Sequence, residues 1–318
     1  MRTIGVAGLQ LRISGTASNL AYLSAWLDHL MLVFPWVEMV VFSELAGYGP
    51  STAKAEPLPG PAERTFCAMA RKHGLWMVTG SLYEKRRNGI YNTATVVNPE
   101  GTVVGRHRKL FPFTPYEKGV EAGDDFLVFD VPDVGRFGVS ICYDSWVPET
   151  SRTLAAMGAE VILHPSLTGT LDRDIELAIA QSTAAINQCY FIDINGLGAG
   201  GVGRSILVGP DGDIIHQAGA GEELMPVELD LDRVRRSRER GLRSLGQPLK
   251  SFRDRKVRFK VYDRRWQGGG GYLDELGPLE KPGRPPRERG SETQGKQAGE
   301  PGGEHGGEEE PGKPGRPG

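Results

Sequence analysis

Two rhythms of apolar residues alternate along this chain. Runs such as TIGVAGLQL (3–11), EMVVFSE (38–44), EVILHPS (160–166) and CYFIDING (189–196) are apolar over short stretches and predict strands. NLAYLSAWLDHLMLVF (19–34), AERTFCAMARKHG (62–74), ETSRTLAAMGA (149–159) and DIELAIAQSTAAINQ (174–188) space their apolar residues as helices do, and Gly74 stops the second. LWMVTGSLYE (75–84) reads as one further strand. IYNTATVVNPEGTVVGRHRKL, DFLVFDVPDVGRFGVSICYD and GRSILVGPDGDIIHQ read as strand pairs turned by NPEG, PDVG and PDG.

Strand–helix units in sequence, interrupted by hairpins, do not fit a purely parallel doubly wound sheet. A layered α/β sandwich with mixed sheets fits better. The pattern ends near residue 280. Residues 281–318 contain no Leu, Ile, Val, Phe, Tyr or Trp, and 18 of these 38 residues are Gly or Pro. Such a segment buries too little apolar area to offset its ordering entropy, which predicts a disordered tail. The expected organisation is a main domain over 1–249, an extension over 250–280 docked on the domain or a partner subunit, and the tail over 281–318.

Composition narrows the class. A net charge of −2 over 318 residues gives no argument for a nucleic-acid or anionic-membrane partner. The three cysteines, Cys67, Cys142 and Cys189, form no C-x-x-C pair, which argues against a disulfide framework and for a reducing compartment. The start MRTIGVAGLQ has no long apolar core of a leader peptide, so a cytoplasmic location is expected. The run LMLVFPWVEMVVF is broken by Pro35 and Glu38 and is too short to span a bilayer. No HxH or HExxH pair occurs, and no metal or cofactor is expected.

Cys142 ends an apolar run and precedes a helical segment, a place where helix-terminal amides are expected to lower a thiol's pKa. Alone it reads more naturally as a small core residue. Glu44 also stands at a strand end, before LAGYGP with Tyr48. Lys109 stands at another, and Glu117 follows it by eight residues. A carboxylate, an ammonium and a thiol at three such edges suit a base, an oxyanion stabiliser and a nucleophile for acyl transfer. Cys67 and Cys189 read as core.

In their order and spacing these segments resemble the carbon–nitrogen hydrolase, or nitrilase, superfamily. The resemblance is carried by FSELAGYG, GRHRKLFPFTPYE and GVSICYDSWVPE, with VAGLQ, AAINQCYF and GRSILVGPDGDII in support, and it covers roughly residues 3–235. It implies a four-layer α-β-β-α sandwich with two mixed sheets, assembled into a homo-oligomer of paired subunits. It implies Glu44, Lys109 and Cys142 as the catalytic triad, Glu117 as a second glutamate that positions the site, and the backbone N–H of Tyr143 as an oxyanion donor.

Tyr143-Asp144 after the cysteine, where true nitrilases commonly carry Trp-Glu, points to an amide over a nitrile. The expected activity is cysteine-dependent hydrolysis of a small linear carboxamide through a thioester. Hydrolysis of an N-carbamoyl amine or amino acid is the alternative, with nitrile hydrolysis or acyl transfer ranked lower. Tyr48, Trp146 and Arg204 are expected to contact substrate. Trp146 suits an aliphatic chain or a cation and equally suits packing, whereas Arg204 would suit a carboxylate. The two clues oppose each other and leave the substrate's charge open. Thr183-Ala184 also departs from the Arg-Ala pair common in many amidases.

Overall fold

The computed structural model describes residues 2–114, 116–263, 273 and 275–281. The expected disordered tail lies outside the described residues, apart from Lys281.

The first half builds one sheet with two helices on its outer face. Its elements are β1 (Thr3–Gln10), α1 (Leu20–Val33), β2 (Met39–Phe42), α2 (Pro61–His73), β3 (Trp76–Val78), β4 (Leu82–Arg86), β5 (Gly89–Val97), β6 (Val103–Arg108) and β7 (Val120–Glu121). The second half builds another sheet from β8 (Leu127–Val131), β9 (Gly135–Val139), β10 (Val161–Ser166) and β11 (Tyr190–Asn195), with α3 (Pro148–Ala156) and α4 (Thr170–Asn187) between them. The small ribbon β12 (Leu197–Gly198) and β13 (Gly201–Val202) follows, then β14 (Ile206–Val208) and β15 (Ile214–Gln217). Finally β16 (Glu223–Asp230) returns to pair antiparallel with β1 before α5 (Leu231–Arg240).

The strand order is β16-β1-β2-β3-β5-β4, with β6 and β7 on β5, in one sheet, and β15-β14-β11-β10-β9-β8 in the other. Both are mixed: β1-β2-β3 and β9-β10-β11 are parallel, and the hairpins are antiparallel.

The apolar runs are continuous because each central strand is buried on both faces. Met39 and Val41 point between the sheets, and Val40 and Phe42 point to α1 and α2. Val161 and Leu163 meet them between the sheets, while Ile162 packs towards α3 and α4. Three cores between four layers give the α-β-β-α sandwich that the resemblance implied. Its helices end as the sequence dictates. Pro61 opens α2, basic Arg71, Lys72 and His73 fill its last turn, and Gly74 caps it at φ +62°.

Two expectations need correction. The run 75–84 is two strands, because Gly80 turns the chain at φ +73°. A Cβ there would sit 1.9 Å from the carbonyl oxygen of Ser43, so only glycine lets this segment close on the backbone beside Glu44. Helix α4 begins at Thr170, four residues before the apolar pattern, and this extra turn carries Arg173 into the interior. The extension forms a short helix over Pro248–Asp254 and touches α3: Arg152 lies over the Phe252 ring, and the Tyr262 hydroxyl donates to Glu149. No helix among the described residues is long and apolar enough to cross a membrane.

Candidate active site

Four strand ends meet at one edge of the sandwich. Glu44 follows β2 by two residues, Lys109 follows β6 directly, Cys142 follows β9 by three, and Thr168 follows β10 by two. The Glu44 amide donates to the Ser166 carbonyl, which joins the ends of β2 and β10 across the two sheets. The polar residues are there because the strands stop being apolar where the layers open.

Glu44, Lys109 and Glu117 form one buried unit. Lys109 Nζ donates to Glu44 Oε1 at 2.9 Å and to Glu117 Oε2 at 2.7 Å. Asn92 Nδ2 donates to both carboxylates, at 2.8 and 3.1 Å, and the Phe113 amide donates to Glu117 at 2.6 Å. Burial, and then the charges of Glu117 and Glu44, raise the neighbouring Tyr83 phenol. Lys109 is 1% exposed and Glu44 is 3% exposed, so this ammonium is held by charge-assisted bonds and not by water.

Cys142 completes the unit. It opens a 3₁₀ turn, Cys142–Trp146, at φ +46°, a left-handed conformation that a non-glycine residue adopts only under constraint. Asp144 supplies the constraint. Its Oδ2 accepts from the Ile141 amide at 2.9 Å and from His107 Nε2 at 3.0 Å, and its Oδ1 accepts from the Phe111 amide at 2.9 Å. The turn that carries the thiol is thereby tied to the strand end that carries Lys109. The thiol lies 3.5 Å from Thr168 Oγ1, and the charge of the neighbouring Glu44 acts on it.

The electrostatics differ from the expectation for the isolated thiol. Burial, and then the charge of Glu44, push the Cys142 thiol well above its ordinary value, against the pull of Lys109. The sequence led us to expect a thiol acidified by helix-terminal amides; the structure corrects this, because a five-residue turn in a dry site cannot offset desolvation. Burial also raises Glu44, with Lys109 opposing and Glu117 adding to the rise. For Lys109, burial acts downward, but Glu44, Cys142 and Glu117 together lift it well above the ordinary lysine value. The site therefore holds a firm cation beside a carboxylate of increased proton affinity.

The remaining candidates lie around this unit. Tyr143 is tilted against Phe113 and Trp146, with ring centroids 4.8 and 5.8 Å away. Trp146 Nε1 donates to Glu176 at 3.2 Å. Two candidates are directed elsewhere. The Tyr48 hydroxyl donates to Glu56, and Arg204 pairs with Asp174 at 2.7 Å on the surface. Arg204's carbonyl is what faces inward, accepting from Nε and Nη2 of Arg173.

Sequence reasoning missed Asn92, Tyr83, Thr168, Arg173 and Glu176. Asn92 was findable as a polar residue inside the apolar run IYNTATVV, and Thr168 as another residue just past a strand end. Glu176 gave no signal, since a helical glutamate reads as a solvated face.

Residues 5–239 match the carbon–nitrogen hydrolase family. The chain belongs to that family. It is accordingly a hydrolase acting on carbon–nitrogen bonds other than peptide bonds. Among its relatives, it is 32% identical over 243 residues to an (R)-stereoselective amidase of Pseudomonas sp., covering 72% of this chain and 86% of that one. It is 32% identical over 236 residues to a nitrilase of Pyrococcus abyssi, covering 70% and 86%. A carbon–nitrogen hydrolase from Helicobacter pylori superposes with a TM-score of 0.71 at 25% identity, covering 84% of this chain and 99% of that one.

Proposed function

We propose that this carbon–nitrogen hydrolase cleaves a small linear carboxamide to a carboxylate and ammonia through a thioester on Cys142. One observation carries the reading: a buried thiol beside Glu44, whose charge acts on it, with Glu44 in turn held by Lys109. A thiol pushed up by burial does not ionise into bulk water. It needs a base beside it and a cation to receive the thiolate, and Glu44 and Lys109 are those two groups.

In this reading Glu44 takes the Cys142 proton as sulfur attacks the amide carbon. Lys109 Nζ and the backbone N–H of Tyr143 donate to the oxyanion. The C–N bond breaks as Glu44 returns the proton to nitrogen, and ammonia leaves. Glu44 then deprotonates water, which releases the carboxylate and restores the thiol. Glu117 and Asn92 hold Glu44 and Lys109 at fixed separation throughout.

The charge balance favours neutral or cationic acyl groups. Glu44, Glu117, Glu176 and Asp193 face only Lys109 and Arg173, and all three guanidinium nitrogens of Arg173 already donate. Arg204 is engaged at Asp174, so neither of these two guanidiniums is free to receive a substrate carboxylate.

The test is ammonia release from neutral aliphatic amides, ω-amino amides, dicarboxylic monoamides and carbamoylated amines, with the acyl-enzyme trapped and mapped by mass spectrometry. We expect an acyl adduct on Cys142 and none in Cys142→Ala, which should release no ammonia. An Ala variant with wild-type turnover would overturn the mechanism. Nitriles belong in the same screen because one relative is named a nitrilase.

A further inference from the structure

Beyond the Glu44–Lys109–Glu117 unit, a second carboxylate reaches the nucleophile. Thr168 Oγ1 lies 3.5 Å from Cys142 Sγ and donates to Glu176 Oε1 at 3.0 Å. A hydroxyl has one proton to give. While that proton points to an ionised Glu176, Thr168 can only accept from sulfur, so it holds Cys142 as the thiol. Once Glu176 is protonated, the carboxyl can donate to Thr168, and the hydroxyl is free to donate to a thiolate. We propose that Glu176 is a positioning residue that acts on Cys142 through Thr168, its charge state setting the direction of the Thr168 hydrogen bond to sulfur. The proposal rests on the reading of Cys142 as the nucleophile.

The link is built to be rigid. Asn195 accepts from the Thr168 amide at 2.7 Å and donates back to its carbonyl at 3.1 Å, which fixes the threonine backbone. Glu176 is 4% exposed. Its Oε1 also accepts from Trp146 Nε1, and its Oε2 accepts from Arg173 Nη1 at 3.1 Å. Arg173 shares that nitrogen with Asp193 Oδ2 at 2.7 Å. The groups facing Glu176 are thus Arg173 on its own helix, Asp193 on β11, Thr168 after β10, and Cys142 and Trp146 on the 3₁₀ turn. One buried guanidinium between two carboxylates leaves an excess negative charge, which a proton can relieve. In keeping with this, burial and then Asp193 raise Glu176 to about 7, with Arg173 opposing. The charge of Glu176 also raises the Cys142 thiol, whereas the Thr168 hydrogen bond lowers it.

The test is alkylation by iodoacetamide between about pH 6 and pH 8, mapped to Cys142 by mass spectrometry so that Cys67 and Cys189 do not contribute. The wild-type rate should show a second inflection near neutral pH superimposed on thiol ionisation. Thr168→Ser should retain it, and Thr168→Val should lose it. Glu176→Gln should also lose it and react about tenfold faster at the alkaline end, where wild-type Glu176 is ionised, the change that one unit of thiol acidity gives. A Thr168→Val profile that superimposes on the wild type, inflection included, overturns the proposal. If Glu176→Gln fails to fold, the Ser and Val pair decides alone. Alkylation needs no turnover, so an enzyme inactive on every amide would sink the amidase reading without deciding this one.

Discussion

Asp144 Oδ2 and His107 Nε2 lie 3.0 Å apart with both side chains wholly shielded from solvent. Asp144 belongs to the turn that carries Cys142, and His107 is two residues before Lys109, so this contact sets the distance between thiol and ammonium. Asp144→Asn keeps the shape but turns an N–H towards at least one of the three donors that the carboxylate satisfies. An unmet buried donor costs about 1–3 kcal/mol. We expect a lower melting temperature and a fall in kcat at nearly unchanged KM, read by thermal denaturation beside steady-state ammonia release. Full kcat at reduced stability would confine Asp144 to folding.

Lys109 is held by two carboxylates and shielded from water, so removing it leaves Glu44 and Glu117 facing each other uncompensated. Breaking such a buried pair costs about 3–5 kcal/mol. Losing an oxyanion donor lowers kcat by about 10²–10³-fold. Lys109→Met should therefore show both losses. Lys109→Met combined with Glu117→Gln should regain stability, because the carboxylate repulsion is relieved, but not activity. If the double variant also regains turnover, Lys109 is structural only.

Arg204 gives the reverse expectation. Its pair with Asp174 is exposed, and such pairs contribute about 0–1 kcal/mol. Arg204→Ala should leave melting temperature and KM for every substrate nearly unchanged. A rise in KM confined to carboxylate-bearing amides would return Arg204 to the pocket and reverse the charge preference argued above.

Much of this was legible before the fold. Strands such as β2 and β10 announce themselves because burial on both faces removes polar positions. For the same reason a charged residue at the end of such a run, as Glu44 and Lys109 are, is conspicuous. What the sequence hides is long-range contact. Thr168 and Glu176 are separated by a turn and the start of a helix, and their meeting with Cys142 depends on where β10 and the 3₁₀ turn are docked. The break at Gly80 was invisible because it follows from the approach of another backbone. The acidity of the thiol was misread because local helix geometry was considered without desolvation, which outweighs it once four layers close over the site.

The last expectation concerns stability against pH. Glu176 is raised from the ordinary 4.5 to about 7 in the folded protein, first by burial. Between these values the folded chain binds more protons at this site than the unfolded chain. Its contribution to stability is therefore full below about pH 4.5 and is lost as pH rises through about 7. Glu176→Gln cannot titrate, so the decline in unfolding free energy from acid to neutral pH should be shallower than in the wild type. The slope is the quantity to compare, since the variant also changes the partner of Arg173 at every pH. Glu44, raised in the same direction, remains in both proteins and cancels. Denaturant unfolding at several pH values measures both slopes. Parallel slopes would mean that Glu176 stays ionised in the folded protein, held so by Arg173.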